Sequence, residues 1–128
     1  MVPSDAELWL DGGHNPAAGQ AIAHLISEMN LKDPRPTYLI CGMLNTKDPI
    51  GFMEPFKGVI DGLYGISIPN EMNTLSGSET ADAAIRAGLN AVVAEDVHTA
   101  LAHITYKRPR ILICGSLYLA GNILRQNS

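Results

Sequence analysis

The sequence predicts a single α/β domain in which helices flank a mostly parallel sheet. Short apolar runs alternate with segments of helical spacing along the chain, and glycine, proline or other turn residues separate most of them. The chain has 128 residues, a length that suits one compact domain. Because helical crossovers between parallel strands are nearly always right-handed, we expect a Rossmann-like three-layer domain over residues 1–128.

Five strands are expected, and each is a short apolar run that stops at a turn residue. They are Glu7–Leu10, Thr37–Cys41, a region within Val59–Ile68, Ala91–Val93 and Arg110–Cys114. Gly62 and Gly65 interrupt the third run, so the pattern does not define the limits of that strand. The last run is the most apolar of the five.

Helices are expected where apolar residues recur at helical spacing or a capping residue precedes them. Asn15 as N-cap and Pro16 at the first position open a helix that carries apolar residues from Ala18 to Met29. The other predicted helices are a short one opened by Asp48-Pro49 before Phe56, one capped at Ser78-Glu79-Thr80 and ending at Gly88, one over Asp96–Ile104, and one over Leu117–Leu124 capped by Ser116. Residues 69–78 are expected to form a loop.

Composition and charge argue against nucleic acid as a partner. The chain is 46% hydrophobic and 17% charged, the balance of a protein with one buried core. Nine basic and thirteen acidic residues give a net charge of −4, which offers no basic footprint. Lys107, Arg108 and Arg110 are close in sequence, but Pro109 interrupts them, and we interpret this cluster as a solvated turn.

The sequence also lacks the marks of a membrane or secreted protein. No apolar run approaches the roughly 18 residues that suggest a membrane span, and no signal peptide is visible. Cys41 and Cys114 both follow a Leu-Ile pair and precede glycine, as expected of small apolar residues near the ends of buried strands. A reduced pair in a cytoplasmic protein is therefore expected rather than a disulfide.

The loop from Asp11 to Pro16 is the first candidate site, because ligands of open α/β sheets bind beyond the carboxyl ends of the strands. Its two glycines allow a sharp turn and close approach of a ligand to the main chain. Asp11 offers a carboxylate to a ribose or an amine, and His14 lies at a predicted helix start, where the dipole favours anions. Turn formation and capping alone are an equally good explanation of the loop, and they account for Asn15 and Pro16 almost completely.

Two further loops follow predicted strands. In Gly115–Gly121, Ser116 can cap the next helix and also present its hydroxyl to a carboxylate ligand, although capping alone is the commoner role. In Gly42–Asp48, Lys47 can attract a carboxylate or phosphate, and a solvated lysine is an equally good explanation. The remaining histidines, His24, His98 and His103, show no metal-ligand spacing and are assigned no role.

Several motifs of nucleotide and hydrolase chemistry are absent from the sequence. It has no Gly-x-x-x-x-Gly-Lys-[Ser/Thr] phosphate loop, no Gly-x-Gly-x-x-Gly fingerprint, no Gly-x-Ser-x-Gly elbow and no Cys-x-x-Cys pair. A Rossmann-like sheet without its own phosphate cradle indicates half of a site, completed by another domain.

Three segments together resemble the folylpolyglutamate synthase/dihydrofolate synthase family. Leu10-Asp11-Gly12-Gly13-His14-Asn15-Pro16 resembles the family's Asp-Gly-Ala-His-Asn-Pro signature, and more loosely the equivalent loop of the Mur ligases. Gly115-Ser116-Leu117-Tyr118-Leu119-Ala120-Gly121 is similar to its Gly-Ser-Leu-Tyr-Leu-x-Gly signature. Gly42-Met43-Leu44 with Lys47-Asp48 is similar to its Gly-x-x-x-x-Lys-Asp segment. The order and spacing of the three match across almost the whole chain.

The resemblance implies a C-terminal domain of an ATP-dependent ligase. In that family a larger N-terminal domain carries the phosphate loop and the magnesium ligands, so ATP and Mg²⁺ would bind mainly there. The carboxylate of folate or dihydropteroate is phosphorylated, and the amine of glutamate attacks the acyl phosphate. Closure of the two domains holds the ligands together and excludes water.

The resemblance to this family also implies a role for individual residues. Asp11 would contact the nucleotide, His14 and Ser116 would hold the incoming glutamate, and Lys47 would face the same ligand edge. No catalytic residue and no metal ligand is expected within this domain alone, which should be inactive by itself. Gly13 departs from the family's alanine and should loosen the turn slightly.

Two other functions remain open from the sequence. A Mur-type ligase domain from peptidoglycan synthesis would have the same fold and a different amino-acid substrate, although the Gly-Ser-Leu-Tyr segment speaks against it. A stand-alone nucleotide-binding regulatory module is the third interpretation.

Overall fold

Within the described part of the chain the fold is a parallel five-stranded sheet with helices on both faces, which confirms the predicted α/β class. The computed structural model describes residues 5–13, 15–43, 48–68, 74–105 and 107–115. The strands pair in the order β1-β5-β2-β3-β4, and all four pairings are parallel. Their bounds are β1 Glu7–Leu10, β2 Thr37–Cys41, β3 Gly62–Gly65, β4 Ala91–Val93 and β5 Arg110–Cys114.

Four α-helices and one 3-10 turn connect the strands in the described part of the chain. They are α1 Pro16–Lys32, α2 Pro49–Met53, the 3-10 turn Glu54–Phe56, α3 Gly77–Arg86 and α4 Val97–His103. Asn15 caps α1 with a 2.8 Å hydrogen bond from the Ala18 amide, and Asp48 caps α2, as predicted. The predicted helix over Leu117–Leu124 lies outside the described residues.

The predicted start of α3 is wrong by two residues. Its N-cap is Ser76 rather than the Ser78 segment, and the helix begins at Gly77. The Ser76 hydroxyl accepts from the Glu79 amide at 3.1 Å, and the Glu79 carboxylate accepts from the Ser76 amide at 2.9 Å. This reciprocal capping box satisfies two amide groups, which makes Ser76 the better cap.

Two apolar clusters, one on each face of the sheet, form the core. On one face α1, α2 and α3 cover Leu39, Cys41, Leu63, Leu112 and Cys114. On the other face, α4 packs against strand residues that include Ile40, Ile111 and Ile113. None of the described helices combines the length and hydropathy needed to cross a membrane.

Arg110 is buried, which corrects its interpretation as part of a solvated turn. Lys107 and Arg108 are exposed, but only 2% of Arg110 is accessible. Its guanidinium donates to the Glu7 carboxylate at 2.6 Å, to the Asn30 side-chain oxygen and to the Asp33 carbonyl at 3.2 Å. Because β5 lies between β1 and β2, its first residue is enclosed by the strands and the end of α1.

We expect this network to make stability sensitive to acid. The hydrogen bond from Arg110 holds the pKa of Glu7 below its ordinary value. A carboxylate with a depressed folded-state pKa stabilises the fold fully above its unfolded pKa, and the gain is lost as the pH falls through the folded value. At pH 7 the free energy of unfolding of Glu7→Gln should therefore be about 1–2 kcal/mol below that of the wild type. Between pH 7 and pH 3 the free energy of unfolding should decrease less in Glu7→Gln than in the wild type.

Urea unfolding at the two pH values measures this difference. Glu95→Gln, which alters an exposed carboxylate, serves as the control and should behave as the wild type. If the free energy of unfolding decreased between pH 7 and pH 3 as much in Glu7→Gln as in the wild type, Glu7 would not be the source of the pH dependence of stability.

Candidate functional site

The carboxyl ends of β1, β5 and β2 lie side by side, and this brings three loops together. Leu10 is the register partner of Ile113, and Cys41 is that of Cys114. The loops after β1 and β2 are those that contain Asp11 and Gly42, and the loop after β5 begins at Gly115. A ligand-binding crevice of an open α/β sheet forms at such an edge.

Backbone hydrogen bonds tie the three loops to one another. The Asp11 amide donates to the Ile113 carbonyl at 3.0 Å, and the Gly42 amide donates to the Cys114 carbonyl at 3.2 Å. The Gly115 amide then donates to the Gly13 carbonyl at 3.2 Å. We call the contact region formed by Gly13, Gly42 and Gly115 the glycine junction.

Any residue larger than glycine at position 115 would displace the glycine junction. The φ of Gly115, +107°, lies in the left-handed region that L side chains rarely adopt. A Cβ atom here would fall 2.3 Å from the Gly42 carbonyl oxygen and 3.0 Å from both the Cys41 Sγ and the Met43 Sδ. The sequence marks this position only as a glycine directly after a strand, and the contact itself was not predictable.

Asp11 lies at the exposed rim of the edge, directly after β1. Its Oδ1 accepts a 2.7 Å hydrogen bond from the Gly13 amide, which closes the turn. The carboxylate thus has the turn-forming role that the sequence offered as the simpler explanation. Its exposure leaves it open to a ligand as well, and the predicted nucleotide contact remains a prediction.

Gly13 packs against the first turn of α1. A Cβ atom at Gly13 would lie 2.8 Å from the Cβ of Ala18 and 3.3 Å from the Cδ1 of Ile22. The alanine of the related family would therefore require the loop or α1 to move by several tenths of an ångström. The effect of this glycine is close packing of the loop on the helix.

The start of α1 and the start of α2 are in contact at the same edge of the sheet. Asn15 and Asp48 cap the two helices, and a Cβ at Gly51 would lie 2.9 Å from the Cγ of Pro16. Gly19 of α1 lies against the Phe52 carbonyl of α2, which holds the helices at backbone contact distance. The starts of the two helices are thereby held next to each other.

The other three predicted ligand contacts, His14, Lys47 and Ser116, lie outside the described residues. Their assignments stay predictions. In sequence, His14 and Ser116 directly follow two members of the glycine junction, and Lys47 directly precedes the cap of α2.

The two cysteines are free and lie side by side beneath the glycine junction, buried at the ends of their strands as the sequence predicts. The hydrogen bond with Cys41 and burial raise the pKa of the Cys114 thiol well above its ordinary value. A protonated buried thiol is a poor nucleophile and metal ligand.

The described residues provide no metal centre. Nowhere in ranges 5–13, 15–43, 48–68, 74–105 and 107–115 do three His, Cys, Asp or Glu side chains converge as ligands. His24, His98 and His103 are all exposed, and His24 Nε2 lies 2.6 Å from Glu28 Oε1 on the surface of α1. The described part of the carboxyl edge therefore does not fit Mg²⁺ by itself.

Solved structures of folate ligases share this fold. E. coli FolC in complex with DHPP and ADP superposes with a TM-score of 0.81 at 18% identity, over 99% of this chain and 30% of that chain. The Yersinia pestis bifunctional folylpolyglutamate synthase/dihydrofolate synthase with AMPPNP and Mn ion superposes with a TM-score of 0.80 at 20% identity, over 99% of this chain and 30% of that chain. Mycobacterium tuberculosis folylpolyglutamate synthase with ADP has a TM-score of 0.75 at 23% identity, over 93% of this chain and 29% of that chain.

The chain thus spans about 30% of the length of the first two of these relatives. At such identities the likeness establishes the fold alone. No curated protein sequence matches the chain. The family model for the dihydrofolate synthetase C-terminal domain, however, matches residues 1–126. Since this match covers nearly the whole sequence, the chain belongs to the family of dihydrofolate synthetase C-terminal domains.

Proposed function

We propose that this chain is the C-terminal part of an ATP-dependent ligase that joins glutamate to dihydropteroate or folate through an acyl phosphate. The glycine junction is the observation that carries the proposal. It gathers at one sheet edge the starts of the Asp11 loop, the Gly42 loop and the Gly115 loop, which are the three segments that resemble the ligase family. The family match over residues 1–126 supports the same function.

The proposed roles of the residues are those that the family resemblance implies. Asp11 contacts the nucleotide through its exposed carboxylate while its Oδ1 keeps the turn closed. His14 and Ser116 hold the carboxylate-bearing glutamate, since each directly follows a residue of the glycine junction. By the resemblance, Lys47 would contact the same ligands; it directly precedes the cap of α2 in sequence.

A second domain must supply the rest of the site. The sequence carries no phosphate loop, and the described residues offer no cluster of magnesium ligands. We therefore assign ATP phosphate and Mg²⁺ binding to an N-terminal domain of the same cytoplasmic polypeptide. Bound there, Mg²⁺ would offset the charge of the phosphates. This chain would close over the ligands and exclude water from the acyl phosphate.

A domain exchange tests the proposal. This chain would replace the C-terminal domain of E. coli FolC, and glutamate-dependent ADP formation on dihydropteroate would be measured. We expect activity from the chimera and none from this chain alone. ADP release by the isolated chain, or a folded chimera without ligase activity, would contradict the proposal.

Asp11→Asn in the chimera tests the assigned carboxylate. Asparagine retains an oxygen that can accept from the Gly13 amide, so the turn and the unfolding midpoint should be preserved. Turnover should fall about tenfold or more, because a hydrogen bond to a charged group is lost. Unchanged turnover would remove Asp11 from the site, and Asp82→Asn, an exposed change on α3, is the matched control.

A further inference from the structure

A second concave site lies at the opposite edge of the sheet. A cavity of about 610 Å³ opens at the amino-terminal ends of β3 and β4, where Gly62 and Ala91 begin these strands. Its size is that of small-molecule sites, roughly 300–1,000 Å³. The glycine junction lies at the carboxyl ends of the strands, so both sites can be occupied at once.

Three rings follow one another along this cavity. The ring centroids of Tyr38 and Tyr64 are 6.4 Å apart with a 44° tilt, and those of Tyr64 and His103 are 6.1 Å apart with a 48° tilt. Gly62 has no side chain to fill the space next to them, and a Cβ there would fall 3.0 Å from the Tyr38 Cε1. Ring faces are surfaces on which flat and cationic groups bind favourably.

One fixed carboxylate completes the lining. Asp61 Oδ2 accepts from the Thr37 amide at 2.8 Å, and the Asp61 amide donates to the Thr37 carbonyl at 2.8 Å, so the residue is held at both groups. No lysine or arginine is among the described residues that line the cavity. Arg35 lines the adjoining cavity that Asp61 also borders, but its guanidinium pairs with Asp33 at 2.9 Å and lies 3.7 Å from Glu7. The charge of the lining therefore favours a cation.

Two exposed apolar side chains form the rim. Ile85 is 56% and Val92 is 55% exposed, although both are large and apolar. Val92 is the register partner of Tyr64 and therefore lies on the same face of the sheet as the rings, whereas Ile85 borders the cavity from α3, on the other face. Covering these side chains with the apolar edge of a ligand would remove them from water.

We propose that this cavity binds a planar aromatic cation of the amino-substituted heteroaromatic class. The ring system of the ligand lies against Tyr64 and His103. Its amino groups donate to Asp61, and its apolar edge covers Ile85 and Val92. The site is independent of the proposed ligase chemistry, and its test does not use ligase activity.

Fluorescence titration of the isolated chain with proflavine, a planar diamino cation, tests this site. Saturable binding with a dissociation constant below about 1 mM is expected. Acridine, which has the same ring framework and is neutral at pH 8, should bind about tenfold more weakly. Absence of saturable proflavine binding, or equal binding of the two dyes, would overturn the proposal.

Variants of the lining locate the bound dye. Asp61→Asn and His103→Ala change exposed side chains, and each should weaken proflavine binding about threefold to tenfold. Tyr64→Leu should weaken it about tenfold and Tyr64→Phe should restore it, with circular dichroism confirming that each variant is folded. Glu95→Gln, which changes an exposed carboxylate outside the lining, should have no effect. Unchanged affinity in Asp61→Asn, His103→Ala and Tyr64→Leu would place the dye elsewhere and refute the site.

Discussion

Replacing Gly115 by alanine is expected to lower the free energy of unfolding by about 3–5 kcal/mol. The left-handed backbone of Gly115, with φ +107°, costs an L residue about 1–2 kcal/mol. The added Cβ would also lie 2.3 Å from the Gly42 carbonyl oxygen, and backbone cannot move aside as a flexible side chain can. Urea unfolding followed by circular dichroism measures the loss.

Gly58→Ala is the matched control for this substitution. Gly58 also has a positive φ, +77°, but a Cβ there would meet no atom within 4 Å. Its alanine variant should lose only the backbone cost of about 1–2 kcal/mol. Equal losses in the two variants would show that the glycine junction relaxes freely and that its close contact does not fix the three loops.

Gly19→Ala is also expected to lower the free energy of unfolding strongly, although helix propensity alone would raise it. Alanine in the interior of a helix is favoured over glycine by about 1 kcal/mol. In α1, however, a Cβ at Gly19 would lie 2.1 Å from the carbonyl oxygen of Phe52 and 3.0 Å from its carbonyl carbon. We expect a net loss of about 2–4 kcal/mol, because α1 and α2 must separate.

Ala21→Gly in the interior of the same helix isolates the propensity term. Ala21 is exposed, so this change should cost only about 1 kcal/mol. Unfolding midpoints of the two variants decide between packing and propensity. A Gly19→Ala protein more stable than the wild type would mean that α1 and α2 are not held at backbone contact distance.

The strands and most helix starts were predictable because the signals that form them are local. Apolar runs ended by turn residues located β1, β2, β4 and β5, and the caps Asn15 and Asp48 located α1 and α2. The start of α3 was misplaced even though Ser76 and Glu79 carry the spacing of a capping box. In that case two nearby serines competed, and only the reciprocal hydrogen bonds distinguish them.

The candidate site was predictable only as a set of loops. Sequence order placed Asp11, Gly42 and Gly115 after three different strands, but the sheet order β1-β5-β2 decides that these strands are neighbours. The contact of Gly115 with Gly42 depends on two segments more than seventy residues apart in sequence. Periodicity and turn signals report on neighbours in sequence and carry no information on such contacts.

The burial of the charged residue Arg110 was likewise not predictable from the sequence. In sequence it is a basic residue near Lys107 and Arg108, and such a group is usually solvated. The central position of β5 buries it, and Glu7, Asn30 and Asp33 then supply its hydrogen bonds. The cavity at Tyr64 likewise combines residues of β2, β3, β4 and the end of α4.

By itself the sequence determined the fold class, the family resemblance and the loops that carry the candidate residues, because these depend on local pattern and short motifs. The tertiary structure decided which loops meet, which glycines admit no side chain, and where the charge of Arg110 is neutralised. These features depend on strand order and close packing, in which atoms distant in sequence compete for the same space.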